Sequence, residues 1–479
     1  MSTVMLVDLP YARGEYNEPL AVEFLAAQLV ERTGATTAIL VLDRGFSASV
    51  LAEAILTQRP DLVALSTKLD SITLLPEVGE AVRRSGIRCR VVIGGIAATI
   101  APTETLAALG MPGAICVVGE GEDVLCQIVL GLSADGPTDA GESSPLPPNR
   151  VIGSPPSSSY PLSAPAERSL LGRTIASRGI ARCEASRGCP WGKCTFCVIG
   201  RKYGATTWRP RPPIRVVEEL DRIAAMGVEM VYFTDEDFIG ADAGRALRIA
   251  EEVLQRKVDG RIPRTFRLWC STSVLNILGR YDDPARVLAA LVGLQTAGLA
   301  GVFLGVESGS PTQLKRYAKG ATVAQNEMAI RLLEEMGLEA DVGFIMFDPF
   351  VSIEELAENT AFIRRTGLRD GFSRLGKPVR LTPYTSLASR AIRHGLCRSQ
   401  LSTDTLSYPY RFADARTAAV FDAFSTWEQR TASRAYELQS VLRANGYTTE
   451  LARRARSDLV AMRREQLDKL DELIEMEDR

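Results

Sequence analysis

Three cysteines fall within nine residues of this 479-residue chain, in the run Ser186-Arg187-Gly188-Cys189-Pro190-Trp191-Gly192-Lys193-Cys194-Thr195-Phe196-Cys197. Nine cysteines and one histidine are present in all. In a reducing compartment a tight cysteine group holds a metal more readily than it forms disulfides. Structural zinc asks for four ligands, usually as two paired halves. No second half exists here, and His394 lies roughly two hundred residues away in an arginine-bearing helical segment. Three thiolates suit a [4Fe–4S] cluster whose fourth iron stays open to an outside ligand. Cys189, Cys194 and Cys197 are therefore the expected metal ligands. Cys183 falls inside a predicted strand and is not expected to join them. Cys89, Cys116, Cys126, Cys270 and Cys397 stand singly among apolar neighbours and read as small buried hydrophobes.

The elements that must position this loop alternate in type. Short apolar, partly β-branched runs at Gly179–Ala185, Met230–Thr234, Phe266–Cys270, Gly301–Val306 and Ala340–Met346 read as strands, with helical periodicity at Ile214–Met226 and Val323–Met336. A partial (β/α) barrel follows, with its chemistry at the strand C-terminal ends. The polar groups there include Thr234, Asp235, Glu236, Asp237, Ser271, Glu307, Ser308 and Asp348. A second alternation precedes it: strands at Val4–Asp8, Thr37–Leu42, Leu62–Ser66, Arg90–Gly94 and Ala114–Val118, with helices such as Leu20–Arg32 and Ser49–Gln58. That is an α/β Rossmann-like parallel sheet, whose ligand would sit near Asp8, Ser66-Thr67-Lys68, Gly94-Gly95 and Gly119-Glu120-Gly121-Glu122. The domain order is then a Rossmann-like domain over 1–131, a Pro/Ser/Gly-rich linker over 132–170, the barrel over 171–400 and a helical C-terminal region over 401–479. The last region is expected either to cover the barrel or to make the contact of a homodimer.

Arg187-Gly188-Cys189-Pro190 and Cys194-Thr195-Phe196-Cys197 together resemble the cluster loop of the radical S-adenosylmethionine (SAM) superfamily, aromatic residue before the last cysteine included. The loop carries one residue more than that family's usual first gap. A bulge at Trp191-Gly192, with all three thiolates still reaching the cluster, is the expected accommodation. Three later segments continue the resemblance: Phe233-Thr234-Asp235-Glu236-Asp237-Phe238, Gly305-Val306-Glu307-Ser308-Gly309-Ser310 with Lys319-Gly320, and Gly343-Phe344-Ile345-Met346-Phe347-Asp348-Pro349. The resemblance implies a radical SAM partial (β/α)6 barrel in which SAM chelates the open iron and is cleaved reductively to a 5′-deoxyadenosyl radical. It implies cofactor contacts from Phe196, Thr234, Asp235, Ser271, Glu307 and Ser308, and an electron donor of flavodoxin or ferredoxin type.

The order of domains resembles the group whose N-terminal domain binds cobalamin, with echoes at Val92-Ile93-Gly94-Gly95-Ile96-Ala97-Ala98-Thr99 and Val118-Gly119-Glu120-Gly121-Glu122. No histidine precedes His394, so cobalt ligation by a domain histidine is excluded. Base-off cobalamin without a protein ligand, or a domain that keeps the fold without the cofactor, both stay open. Without cobalamin the build is similar to the aminoglycoside diol dehydratase of apramycin biosynthesis. Elimination of water then needs acid and base groups, for which Asp235, Asp237, Glu307 and Asp348 are the candidate catalytic residues. The same acids could instead serve SAM or pair with Arg209, Arg211 or Arg267. The leading expectation is radical dehydration of a vicinal diol on a polar, sugar-like intermediate of antibiotic biosynthesis. The alternative is cobalamin-dependent C-methylation in specialised metabolism. A cluster-bearing scaffold that no longer turns over SAM is disfavoured by the retained Glu307.

Composition bounds the partners. Charged residues are 24% of the chain with a net charge of −2, so no global field draws it to nucleic acid or anionic lipid. The N-terminus lacks a basic segment before a long apolar core, and no run approaches about 18 apolar residues. A cytoplasmic, unanchored enzyme acting on a small molecule is expected.

Overall fold

The strand-forming runs near the N-terminus make six parallel strands: β1 (Thr3–Asp8), β2 (Thr36–Val41), β3 (Leu62–Thr67), β4 (Arg90–Gly95), β5 (Ile115–Val118) and β6 (Arg150–Gly153). The computed structural model describes residues 2–478 except 11–16, 44, 136–148, 158–159, 161–163, 178, 204–207, 369–374, 399 and 445–448. The period of two sorts each strand between two cores. Met5 and Val7 of β1 join Val63 and Leu65 of β3 under the helices Ala48–Gln58 and Leu75–Arg84. Val4 and Leu6 join Leu62 and Ala64 under the helices Leu20–Thr33 and Glu122–Asp135. Each fully buried side chain of this kind contributes about 1.5–3 kcal/mol.

The sheet order is β2-β1-β3-β4-β5-β6. The chain moves outward from β1 to β2, then returns past β1 to β3. This reversal splays the connections apart beyond Asp8 and Thr67 and leaves a crevice, the place where doubly wound sheets take ligands. The sixth strand comes from the segment expected to be a linker: Arg150 to Gly153 pair with Ile115 to Val118. Periodicity over four residues was too short to reveal it, and the linker's 136–148 stretch lies outside the described residues.

The second sheet starts at β7 (Ala181–Cys183). An antiparallel ribbon of two-residue strands, β8 (Ser186–Arg187) and β9 (Arg209–Pro210), follows at once. Then come β10 (Met230–Phe233), β11 (Arg267–Ser273), β12 (Leu299–Glu307) and β13 (Glu339–Phe344). The order β13-β12-β11-β10-β7 is parallel and steps through space as it does along the chain, without reversal. This is the progression of a barrel wall, which collects every strand's C-terminal end on one rim. Six strands were expected; among the described residues five are formed, and past β13 only the bridge between Phe347 and Pro378 continues the ladder. Proline has no N–H to extend it.

The helices Ala415–Ala444 and Glu450–Glu477 cover the barrel. Val420, Phe424, Leu467, Leu470, Leu473 and Ile474 are part of the barrel core, and Arg364 Nε donates to Asp471 at 2.9 Å. Among the described residues no helix is long and apolar enough to cross a membrane.

Candidate functional site

The ribbon β8–β9 closes the base of a long excursion, and the three cysteines stand just beyond it. Trp191 fixes the loop. Its Nε1–H donates to the Ala318 carbonyl at 2.8 Å, Arg280 stacks on its ring at 4.4 Å, and Gly320 lies against it so closely that a Cβ would come within 2.7 Å of the ring. Thr195 N–H donates to Tyr317 O at 2.9 Å and its hydroxyl to Arg316 O at 3.0 Å, while Phe196 meets Tyr317 edge-on at 5.3 Å. The loop turns at Gly192, φ +56°. Trp191 thus anchors the loop on the 316–320 segment.

Cys189 and Cys194 are half-buried, Cys197 is exposed, and Cys183 is buried in the barrel core. Burial pushes the Cys194 thiol up to about 12, with the nearby Lys319 ammonium opposing the rise and Glu307, Cys197 and Cys189 adding to it. Cys197, exposed at its edge but crowded by the surrounding loop, is likewise raised by desolvation, against the Ile199 backbone N–H and with Cys189 adding to the rise. The three sulfurs are thus close enough to feel one another. Yet among the described residues no three His, Cys, Asp or Glu side chains converge tightly enough to hold a single ion. Three thiolates on one loop suit a polynuclear iron–sulfur cluster, whose separate irons take one thiolate each. Lys319 alone does not compensate three thiolates; iron would supply the missing positive charge.

Glu307 ends β12 in the left-handed region, φ +68°, where the pairing with β13 shifts register. A non-glycine residue there costs roughly 1–2 kcal/mol, and such outliers point to function. Its Oε1 accepts from Lys319 Nζ at 3.1 Å. Burial disfavours the Lys319 charge, but Glu307 and then Cys194 outweigh it and hold the ammonium protonated. Glu307, Lys319 and the thiols therefore form one electrostatic group on the rim.

The other strand-end acids are engaged elsewhere. Asp235 accepts from Ala185 N–H at 2.9 Å and from the Ser186 hydroxyl, which lashes β10 to the start of the cysteine loop. Burial raises its carboxyl to about 7, with Ser186 and Ala185 opposing. Asp237 accepts from Thr272 at 2.7 Å and from Gly240 N–H at 3.2 Å. Asp348 is fully buried among Tyr317, Arg316 and Gln313, at 2.7, 2.9 and 3.0 Å. Ser308 is locked between Gln313 and Asn359, and Ser271 meets Tyr232 at 2.9 Å. Asp235, Asp237 and Asp348 therefore brace the rim rather than project from it. Arg209 and Arg211 pair with Glu120 and Glu219, not with these acids.

A cavity of about 490 Å³ joins the two sheets. Its inner part is an apolar slot between the first sheet and the helices Leu20–Thr33 and Glu122–Asp135, lined by Leu6, Val22, Leu25, Ala64, Val92 and Leu125. Its mouth passes Asp8, Lys68 and Gly94, then reaches Arg182, Glu184, Arg187 and Thr234 on the barrel rim. Asp8 and Lys68 flank the strand-order reversal, paired at 2.6 Å. Gly94 faces open space, with nothing within 4 Å of where a Cβ would be, whereas Gly95 takes φ +94° and presses on the Thr67 backbone. An apolar slot, a side-chain-free floor and a polar mouth fit a large planar macrocycle with a detached aromatic tail. His394 is not near: it packs on Phe350 at 5.4 Å. The site is therefore consistent with cobalamin that takes no histidine from the protein.

Two contacts were not legible beforehand. Arg187 pairs across the domains with Glu122 at 2.7 Å, and Glu236 accepts from Lys202 at 2.6 Å and Tyr203 at 2.9 Å. Thr234, by contrast, lines the cavity.

The family profile of the radical SAM superfamily matches residues 183–363, and that of the B12 binding domain matches residues 12–129. The chain is 35% identical over 208 residues to 4′-phospho-dehydrooxetanocin synthase of Priestia megaterium; the matched stretch is 41% of this chain and 27% of that synthase. It is 25% identical over 396 residues to an uncharacterized methyltransferase of Pyrococcus horikoshii, covering 80% of each. In fold it is similar to the cobalamin-dependent S-adenosylmethionine radical enzyme OxsB, solved with aqua-cobalamin and S-adenosylmethionine, with a TM-score of 0.81 at 21% identity over 98% of this chain and 72% of that one.

Proposed function

We propose that this chain, which carries a B12 binding domain and a radical SAM domain, is a cobalamin-dependent radical SAM enzyme that transfers a methyl group to a carbon of a polar small molecule. The observation that carries this reading is the single cavity running from the apolar slot of the first sheet to the barrel rim that also bears the cysteine loop. When bound, the cluster supplies the electron that cleaves SAM, and cobalamin supplies a methyl carrier. An external donor of flavodoxin or ferredoxin type would deliver that electron.

The chain's own residues bind, orient and exclude water. Cys189, Cys194 and Cys197 would hold the cluster. Trp191 and Thr195 pin their loop to the 316–320 segment. Glu307, held by Lys319, presents an acceptor to a hydroxyl-bearing group beside the cluster. Lys68 and Asp8, paired at the strand-order reversal, line the cavity that would hold the corrinoid, and the cover of domain against domain would keep it dry.

Methyl transfer takes precedence over diol dehydration for two reasons. Two of the acids on which proton transfer to a leaving hydroxyl depended are already engaged, Asp235 by Ala185 and Ser186 and Asp348 fully buried among its donors. The relative matched over 80% of its length is described as a methyltransferase. A second reading, radical chemistry on a phosphorylated substrate without methyl transfer, is favoured by the 35% identity to 4′-phospho-dehydrooxetanocin synthase.

Anaerobically reconstituted enzyme given SAM, a strong reductant and a panel of phosphorylated and unphosphorylated polar small molecules separates these readings. Methyl transfer yields S-adenosylhomocysteine together with a methylated product. 5′-Deoxyadenosine with an unmethylated, altered substrate supports the second reading. Neither product from any preparation retaining both cofactors would overturn both.

A further inference from the structure

Arg187 sits in the cavity wall, 3.6 Å from the Glu120 carboxylate that Arg209 already holds, and takes one oxygen from each of two further carboxylates. Its Nη2 pairs with Glu122 Oε1 at 2.7 Å and its Nε donates to Glu184 Oε2 at 3.0 Å. The second oxygen of each, Glu122 Oε2 and Glu184 Oε1, is buried and has no hydrogen-bond partner among the described residues. The same is true of Arg182 Nε, two residues before Glu184 on the same face of the strand. All four residues line the cavity, and Glu122 is only 6% exposed. Leaving a buried polar atom unpaired costs about 1–3 kcal/mol, more where the group is charged. Three such atoms at one edge of one cavity point to a ligand that satisfies them.

The chemistry of that ligand follows from the inventory. Two acceptors and one donor remain, after one guanidinium has been shared between two carboxylates. The guanidinium groups of Arg187 and Arg182 balance the two carboxylates, so an anionic group gains no net attraction, and an apolar group would leave every atom unpaired. A free cation would have to compete with Arg187 for the same carboxylates. A neutral primary carboxamide offers two N–H donors and one carbonyl acceptor, which is the complement of the set.

We infer that Glu122, Glu184 and Arg182, with Arg187 as their brace, form a carboxamide-reading edge that recognises one peripheral side-chain amide of the corrinoid. The inference rests on the reading of the cavity as a cobalamin site and assigns a specificity to it. Glu122 opens the helix Glu122–Asp135 of the first domain, and Arg182 and Glu184 lie in and just after β7 of the second, so the edge reads the amide only when the domains are in register.

The test is binding, not turnover. Full-length, cluster-reconstituted protein is titrated with hydroxocobalamin and with the separated cobalamin isomers in which one peripheral propionamide is hydrolysed to a carboxylic acid. The expected result is that one isomer binds at least about tenfold more weakly than hydroxocobalamin, because its acid meets Glu122 and Glu184, while the others bind nearly normally. Glu122→Gln and Glu184→Gln, checked for iron content and far-UV circular dichroism, should narrow that gap by offering N–H donors to the acid. If the wild type binds hydroxocobalamin and treats all isomers alike, or the variants leave the gap unchanged, the inference falls while the cobalamin reading stands. Should the wild type retain no hydroxocobalamin, the underlying reading fails first.

Discussion

The two parallel sheets meet along their C-terminal rims, and they prepare those rims in opposite ways. The first keeps its rim empty: glycines at 94 and 95, an apolar slot behind them, and one buried ion pair at the reversal of strand order. The second fills its rim with charge, tying Asp235 to Ser186, Asp237 to Thr272 and Asp348 to Arg316 and Tyr317. A bulky, mostly apolar macrocycle needs volume. A cluster and a small polar cofactor need a loop and a few ionic groups held still. The difference shows which side of the junction supplies space and which supplies orientation.

The comparison breaks most completely at the cysteines. Replacing Cys189, Cys194 or Cys197 by Ala should abolish the cluster, measured as loss of about four irons per chain and of the reduced cluster's EPR signal, while corrinoid retention persists. Cys183→Ala, in the barrel core, should keep its iron. If losing Cys183 costs as much iron as losing Cys189, the ligand assignment is wrong. Next in size is Asp348→Ala, which removes the acceptor shared by Tyr317, Gln313 and Arg316, while Arg316 keeps Glu355. It should destabilise the barrel by about 1–3 kcal/mol, read in chemical denaturation, with iron per folded chain unchanged.

On the other rim, Gly94→Val places methyl groups in the open floor. Corrinoid affinity should fall at least about tenfold by equilibrium dialysis, with iron unaffected. Unchanged affinity would show that the floor is not part of the site. The smallest expected effect is a pH dependence. Asp235 is raised from 3.8 to about 7 by burial, with Ser186 and Ala185 opposing. A carboxyl raised on folding stabilises the fold fully below its unfolded value, and that contribution is lost as pH climbs through about 7. Wild-type stability should therefore fall between pH 5 and 8 relative to Asp235→Asn, whose side chain does not titrate. Parallel pH profiles would mean that Asp235 is ionised in the fold.

What could be read from the sequence tracks this contrast. The cysteine loop was legible because its chemistry is carried by residue type at fixed spacing, and the strands because β-branched runs announce them. The acids at 235, 237 and 348 were visible as candidates, but residue type alone did not reveal that Tyr317 and Arg316 lie waiting to bury Asp348. The slot was harder still. Leu6, Val22, Leu25, Ala64, Val92 and Leu125 look like ordinary core residues, and only their packing leaves a gap among them. Likewise Glu122 and Arg187, 65 positions apart in the chain, become partners only through the docking of one sheet on the other. The sixth strand, Arg150–Gly153, was hidden by its brevity and by the Pro/Ser/Gly-rich residues around it.

The central claim is that one chain holds a corrinoid in the cavity and a cluster on the barrel rim that the cavity reaches. Anaerobic reconstitution with iron, sulfide and hydroxocobalamin, followed by desalting and metal analysis, tests it most directly. The account predicts about four irons and about one cobalt per chain, with iron lost in Cys189→Ala and cobalt lost in Gly94→Val. Iron without cobalt in the wild type would contradict it.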